Sequence, residues 1–210
     1  MNLVETIKLV QRALDVDVDG DAGPQTWGAI AKRLGLTIPG TGMSTKLSEL
    51  AEIAESQIGV EEDKARTNRG AAILKYQQST NLDGQGWPWC AAFVDWCLQE
   101  FLSRHMEYAR MGLKRAQTAA AFGLIDWGKQ QRCHLFRGEH EAPQRGDIVV
   151  FSFSHCGIVT DVNAQGRDFH SVEGNTNTDG SREGYIVARK ARTYGQVQQF
   201  IRLPELKEAA

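Results

Sequence analysis

The chain contains four cysteines and five histidines. Cys90 has surroundings that suit a reactive thiol. It follows Trp87-Pro88-Trp89, and Ala91, Val94, Cys97, Leu98 and Phe101 recur behind it with a helical period. A helix therefore begins at or just after the cysteine, where exposed amides and the helix dipole lower a thiol pKa. Pro88 restrains the entry, and Trp87 and Trp89 are placed to wall a groove that binds substrate. Cysteine hydrolysis also needs an imidazole and a polar group that orients it. His155 opens a predicted strand, with the small residues Cys156 and Gly157 behind it. Such a position can present its ring to a helix N-terminus across a cleft. Glu173 and Asn175 are two residues apart, so one strand face carries both. One of them can hold the far side of His155 while the other supports it or binds substrate.

Each of these residues also has a plainer reading. A lone cysteine is usually a core residue, a strand-edge histidine is often only hydrogen-bonded, and Glu173 with Asn175 could form an ordinary strand end. Cys97 lies inside the helix and reads as core. Cys156 alternates with His155 and is expected to point away from the site. Cys133 sits in a polar connection with no task assigned. His170 is out of phase with Glu173, and His105, His134 and His140 read as surface residues. No C-x-x-C pair occurs, and Cys and His are not spaced as a metal set, so no metal ligand is assigned. Asp15, Asp17, Asp19 and Gly20 imitate the first half of a calcium loop, but Thr26 occupies the twelfth position, where a bidentate glutamate is needed. The stretch reads instead as an acidic turn capping a helix that starts near Pro24.

The elements that must position these groups fall into two modules. Leu3, Ile7, Val10 and Leu14 predict an amphipathic helix over 3–14. Pro24 opens a second helix, whose buried face is expected at Trp27, Ile30, Ala31 and Leu34. Residues 1–36 form this small helical module, residues 37–44 a Gly/Pro linker, and residues 45–206 the larger domain. In the latter, Leu47, Leu50, Ile53, Ala54 and Ile58 form a helical stripe, and 71–76 a shorter helix. Residues 81–86 are a flexible approach to Cys90, and 109–129 are expected to be helical. Strands are predicted at 147–153, 156–162, 168–173, 184–190 and 197–202. Helices followed by consecutive strands imply an α+β domain with an antiparallel sheet.

Two resemblances sharpen this reading. Val10-Gln-Arg-Ala-Leu14 followed by Asp19-Gly-Asp-Ala-Gly-Pro-Gln-Thr-Trp27 resembles the peptidoglycan-binding type 1 family over about residues 3–35, which implies cell-wall binding. Gly86-Trp-Pro-Trp-Cys-Ala-Ala-Phe-Val-Asp-Trp-Cys97, Gly146-Asp-Ile-Val-Val-Phe151 with Ser154-His-Cys-Gly-Ile-Val159, and Val172-Glu-Gly-Asn-Thr176 resemble the CHAP (cysteine, histidine-dependent amidohydrolase/peptidase) family. That resemblance implies a papain-like α+β fold with Cys90 as nucleophile, His155 as general base, Glu173 as its orienter and Asn175 as helper. It also implies hydrolysis of a peptidoglycan amide, either N-acetylmuramoyl-L-alanine or a stem-peptide or cross-link bond. No cofactor is required. Some members carry a structural calcium, for which Asp83 is only a loose candidate. The setting resembled is a phage endolysin. A secretion-system effector toxin with the same chemistry, or a non-catalytic wall-binding protein, are the alternatives.

Composition limits the partners. The 210 residues carry 24 Lys and Arg against 26 Asp and Glu, a formal charge of -2. This lacks the global basic footprint of a nucleic-acid binder. No apolar run approaches a membrane span, and the N-terminus lacks an apolar signal core. The expected protein is a monomer made in the cytoplasm. It would reach the wall, in the periplasm or outside the cell, after release by a holin or another delivery system.

Overall fold

The structure is a computed structural model, and it describes residues 2–16, 18–20, 22, 24–34, 46–163, 167–177 and 184–204. The chain divides into two compact units, Met1–Ser44 and Thr45–Ala210. The expected linker 37–44 lies outside the described residues, as do Asp17 and Asp21 of the acidic turn.

The first unit is a helical pair, α1 (Leu3–Leu14) and α2 (Pro24–Leu34). Asn2 caps α1 by accepting the Glu5 N–H at 2.9 Å, and Asp15 ends it in the left-handed conformation. Of the expected apolar face of α2, Trp27 is 48% exposed and Leu34 63%, Ile30 is half-buried, and the Ala31 side chain lies outside the described residues. Among the described residues of this unit the buried ones are polar. Gln11 donates from Nε2 to Asp19 Oδ1 (2.6 Å) and Thr26 Oγ1 (3.0 Å), and its Oε1 accepts the Gly20 N–H (2.9 Å). A pair this short has too little volume for an apolar core, so one buried amide ties the turn to both helices. Gly20 (φ +83°) lets that turn lie against α1, where a Cβ would come within 2.8 Å of Val4.

The second unit is the α+β domain. Its helices are α3 (Lys46–Glu55), α4 (Ala71–Gln77), α5 (Cys90–Arg104), α6 (Met106–Arg110) and α7 (Gly123–Gln130). Its strands are β1 (His134–Phe136), β2 (Ile148–Phe151), β3 (His155–Val162), β4 (Asp168–Thr176), β5 (Ile186–Thr193) and β6 (Val197–Arg202). They form one antiparallel sheet in the order β1-β6-β2-β3-β4-β5. Ile148, Val150, Cys156 and Ile158 face the cluster that contains the apolar side of α5, while Val149, Phe151, Val159, Phe169 and Phe200 build a second, largely aromatic cluster. Helix α3 ends before Ile58, which is 47% exposed.

The expected helix over 109–129 is broken. Residues 111–122 run irregularly between α6 and α7, with Gly112 at φ +86° and Gln117 at φ +49°. The buried Asp95 of α5 accepts the Gln117 N–H at 2.9 Å and so holds this connection against the helix. The short β1 had no counterpart among the expected strands. The Gly146-Asp147 pair is a fastening device. Gly146 (φ +93°) passes so close to Leu47 that a Cβ would lie 1.9 Å from its carbonyl oxygen. Asp147, buried, accepts from Arg202 Nε (2.9 Å) and Nη2 (2.8 Å), tying the start of β2 to the end of β6.

Candidate active site

Cys90 is the first residue of α5, and its N-cap, Trp89, makes no side-chain cap hydrogen bond. The first-turn amides are thus not taken by a capping side chain, and the Ala91 amide favours the ionised thiol. The approach is pinned by buried polar contacts. Gln77 Nε2 donates to the Trp87 carbonyl at 2.9 Å. Trp89 Nε1 donates to Glu62 Oε1 at 3.0 Å. The other oxygen of Glu62 accepts the Thr67 and Asn68 N–H groups at 2.7 and 3.0 Å. Trp89 is fully buried, 5.7 Å from the ring of Tyr76. It therefore does not wall a groove, as expected of it; its indole N–H finds its partner inside the domain and fixes the turn from below. Trp87 does line a cavity of about 210 Å³ beside Cys90.

His155 opens β3 and is completely buried. Its ring lies against Phe151 and Phe153, with centroids 6.1 and 6.0 Å away. Nε2 lies 3.0 Å from Glu173 Oε2, an ion-pair distance off the line of a regular hydrogen bond. The imidazole contact comes from Glu173. Asn175, at φ +55°, instead lines the cavity, and its buried Oδ1 has no partner among the described residues. Two glycines make this convergence possible. A Cβ on Gly157 would lie 2.7 Å from Glu173 Cγ, and one on Gly174 would lie 2.6 Å from Phe93 Cβ and 2.8 Å from Trp89. The first leaves room for the carboxylate beside the histidine strand. The second lets β4 press against the start of α5.

Cys156 overturns one expectation. It does alternate with His155 across the sheet, but α5 packs on the Cys156 side, so Cys156 lies in the same core cluster as Cys90 instead of pointing away. His155 stands at the very start of β3, and its charge acts on the same thiol. Cys97 and Cys133 are buried in the core, and His170 is exposed.

The electrostatics follow from these contacts. The Cys90 thiol is held well below its ordinary 9.0 by the neighbouring Cys156 thiol first and by the charge of His155, against the cost of burial. Burial disfavours the imidazolium, but Cys90 and then Glu173 push His155 from 6.5 to about 9. Burial likewise disfavours the Glu173 carboxylate, yet Arg192 and His155 hold it below its ordinary range. At neutral pH the arrangement favours a thiolate beside an imidazolium.

Several participants were not singled out in the sequence. Ala119, Ala120 and Ala121 line the cavity from the irregular connection that interrupts the expected helix, and Ser154 lines it in a left-handed conformation (φ +61°). Glu62 and Arg192 carry no motif of their own. Among the described residues no cluster of three or more His, Cys, Asp or Glu is poised for a metal. Asp19 is engaged with Gln11, and Asp83 is exposed. No helix among those residues is long and apolar enough to cross a membrane. No curated protein matches the chain. The CHAP domain family does match, over residues 82–175, an interval that holds Cys90, His155, Glu173 and Asn175. CHAP domains are generally cysteine-dependent amidohydrolases or peptidases acting on peptidoglycan, and the α+β unit of this chain contains a CHAP domain.

Proposed function

We propose that the protein hydrolyses an amide bond of bacterial peptidoglycan through a thioester on Cys90. The observation that carries this reading is Cys90 at the start of α5 on the wall of a cavity, with the buried His155 Nε2 3.0 Å from Glu173 Oε2 and its charge acting on the thiol. In the resting site the thiol proton resides on His155. Cys90 Sγ attacks the substrate carbonyl carbon, and the Cys90 backbone N–H is one donor to the oxyanion. As the tetrahedral intermediate collapses, His155 gives its proton to the leaving amine. It then takes a proton from water as that water attacks the thioester and frees Cys90. Glu173 stabilises the imidazolium and fixes its orientation. Asn175 and Trp87 bind substrate along the cavity.

The helical pair is read as the wall-recognition module, with Gln11, Asp19 and Thr26 keeping its turn in shape. A small recognition unit beside a hydrolase suits the setting of a phage endolysin. The bond is either N-acetylmuramoyl-L-alanine or a peptide bond within or between stems. Digestion of defined muropeptides, with the products weighed by mass spectrometry, tests the proposal. Intact stem peptides with a free L-alanine amine mark an amidase, and shortened or separated stems mark an endopeptidase. Unchanged muropeptides, both monomeric and cross-linked, would refute it.

A further inference from the structure

We propose that Arg192 is a positioning residue of the hydrolytic site, gripping the Glu173 carboxylate with its guanidinium fork so that Oε2 stays against His155. The inference rests on the reading of Cys90, His155 and Glu173 given above. Arg192 Nε donates to Glu173 Oε1 at 2.8 Å and Nη2 donates to Oε2 at 2.5 Å. Ser171 Oγ donates to Oε1 at 2.7 Å. The carboxylate is thus gripped on both oxygens, and the one facing His155 is shared with Arg192. Only a planar fork can fix the carboxylate plane in this way.

The same aromatic floor carries both cations. The Arg192 guanidinium lies 5.0 Å from the Phe151 ring centroid and 5.4 Å from that of Phe153, the two rings that also lie against His155. Arg192 is 5% exposed and Glu173 is fully buried, so solvent screens their charges little. Among the described residues the titratable or charged groups of this cluster are Cys90 from α5, His155 and Cys156 from β3, Glu173 from β4 and Arg192 from β5. With Cys90 as thiolate and His155 as imidazolium, the charges of Cys90, His155, Glu173 and Arg192 alternate and cancel. Substituting Arg192 by a neutral residue takes one positive charge out of this buried group. Ionising Cys90 then becomes harder, and deprotonating His155 becomes harder too. A part that served folding alone would not move both ionisations in the same direction.

The test compares wild type with Arg192→Gln and Arg192→Lys in two assays. One is the pH profile of kcat/KM on muropeptides. The other is the pH profile of Cys90 alkylation by iodoacetamide, read on the Cys90 peptide by mass, which needs no wall substrate. Arg192→Gln is expected to move both limbs of each profile up by about one pH unit and to lower the optimum by about tenfold or more. Arg192→Lys keeps the charge and leaves the limbs in place, while kcat falls several-fold with KM unchanged because the fork is lost. Limbs of Arg192→Gln that coincide with wild type would overturn the proposal. Should that variant fail to fold, an Arg192→Lys protein with wild-type kcat would overturn it as well. Alkylation limbs that move in a protein that cleaves no muropeptide would leave Arg192 in its place and remove the hydrolase reading instead.

Discussion

On the α5 side of the sheet, the surroundings of Cys90 are a second thiol and aliphatic or aromatic core side chains. On the other side, His155 is backed by two phenylalanines, a carboxylate and a guanidinium. The nucleophile is thus tuned by a helix terminus and a neighbouring thiol together with the charge of His155, whereas the imidazole is tuned by the charges of Cys90 and Glu173. The strand end at His155 is the one place where the two chemistries meet. A proton can move between them there without either face burying an unpaired charge. The division predicts that substitutions on the charged face alter the rate most, that those on the helix face alter mainly the thiol ionisation, and that the helical pair leaves the chemistry alone.

His155→Ala removes the group common to both faces and should lower kcat for muropeptide cleavage by about a thousandfold. Single-turnover mass spectrometry should find no acyl-enzyme. Glu173→Gln keeps the shape of the charged face but not its charge. It should cost about a hundredfold in kcat and bring the alkaline limb of the pH profile below that of wild type. An unmoved limb would mean that Glu173 does not act through His155.

The wild-type profile itself is predicted. Activity rises as Cys90 ionises, well below 9.0, and falls as His155 loses its proton near 9. Stability follows the same pair. Because the folded His155 pKa is raised above 6.5, its contribution is full below 6.5 and is lost as pH rises through about 9. Because the folded Cys90 pKa is depressed, its contribution is present above 9.0 and is lost as pH falls through the folded value. Thermal melts across pH should therefore show the two limbs that the rate shows.

On the helix face, Gly174→Ala would drive a methyl against Phe93 and Trp89, with a destabilisation of about 1–3 kcal/mol by denaturant titration. Cys156→Val removes the neighbouring thiol and should move only the acid limb upward. Gln11→Ala should loosen the helical pair by about 1–3 kcal/mol, weakening retention on sacculi while muropeptide turnover stays at the wild-type rate.

Much of this site was legible in the sequence because its parts sit on regular elements. The period behind Cys90 located α5, and the two-residue step between Glu173 and Asn175 put them on one strand. The alternation of His155 and Cys156 was also legible, but which sheet face α5 covers is a tertiary fact, and so Cys156 was expected on the wrong side of the site. Trp89 had the type and position of a groove residue; its partner, Glu62, is 27 residues away in sequence. The helix expected over 109–129 failed because Asp95 draws Gln117 into a left-handed turn, and no local propensity records that contact. Arg192 was invisible for a related reason. A lone arginine on an edge strand carries no signal: the register of β4 and β5 pairs it with Phe169, and only its long side chain reaches along the sheet to Glu173.

The central claim is that Cys90 is the nucleophile of a wall hydrolase. Its most direct test is the release of soluble muropeptide from purified sacculi by wild type and Cys90→Ala, with both proteins shown to share one melting transition. The account predicts steady release by wild type and none by Cys90→Ala. Release by Cys90→Ala at the wild-type rate would contradict it.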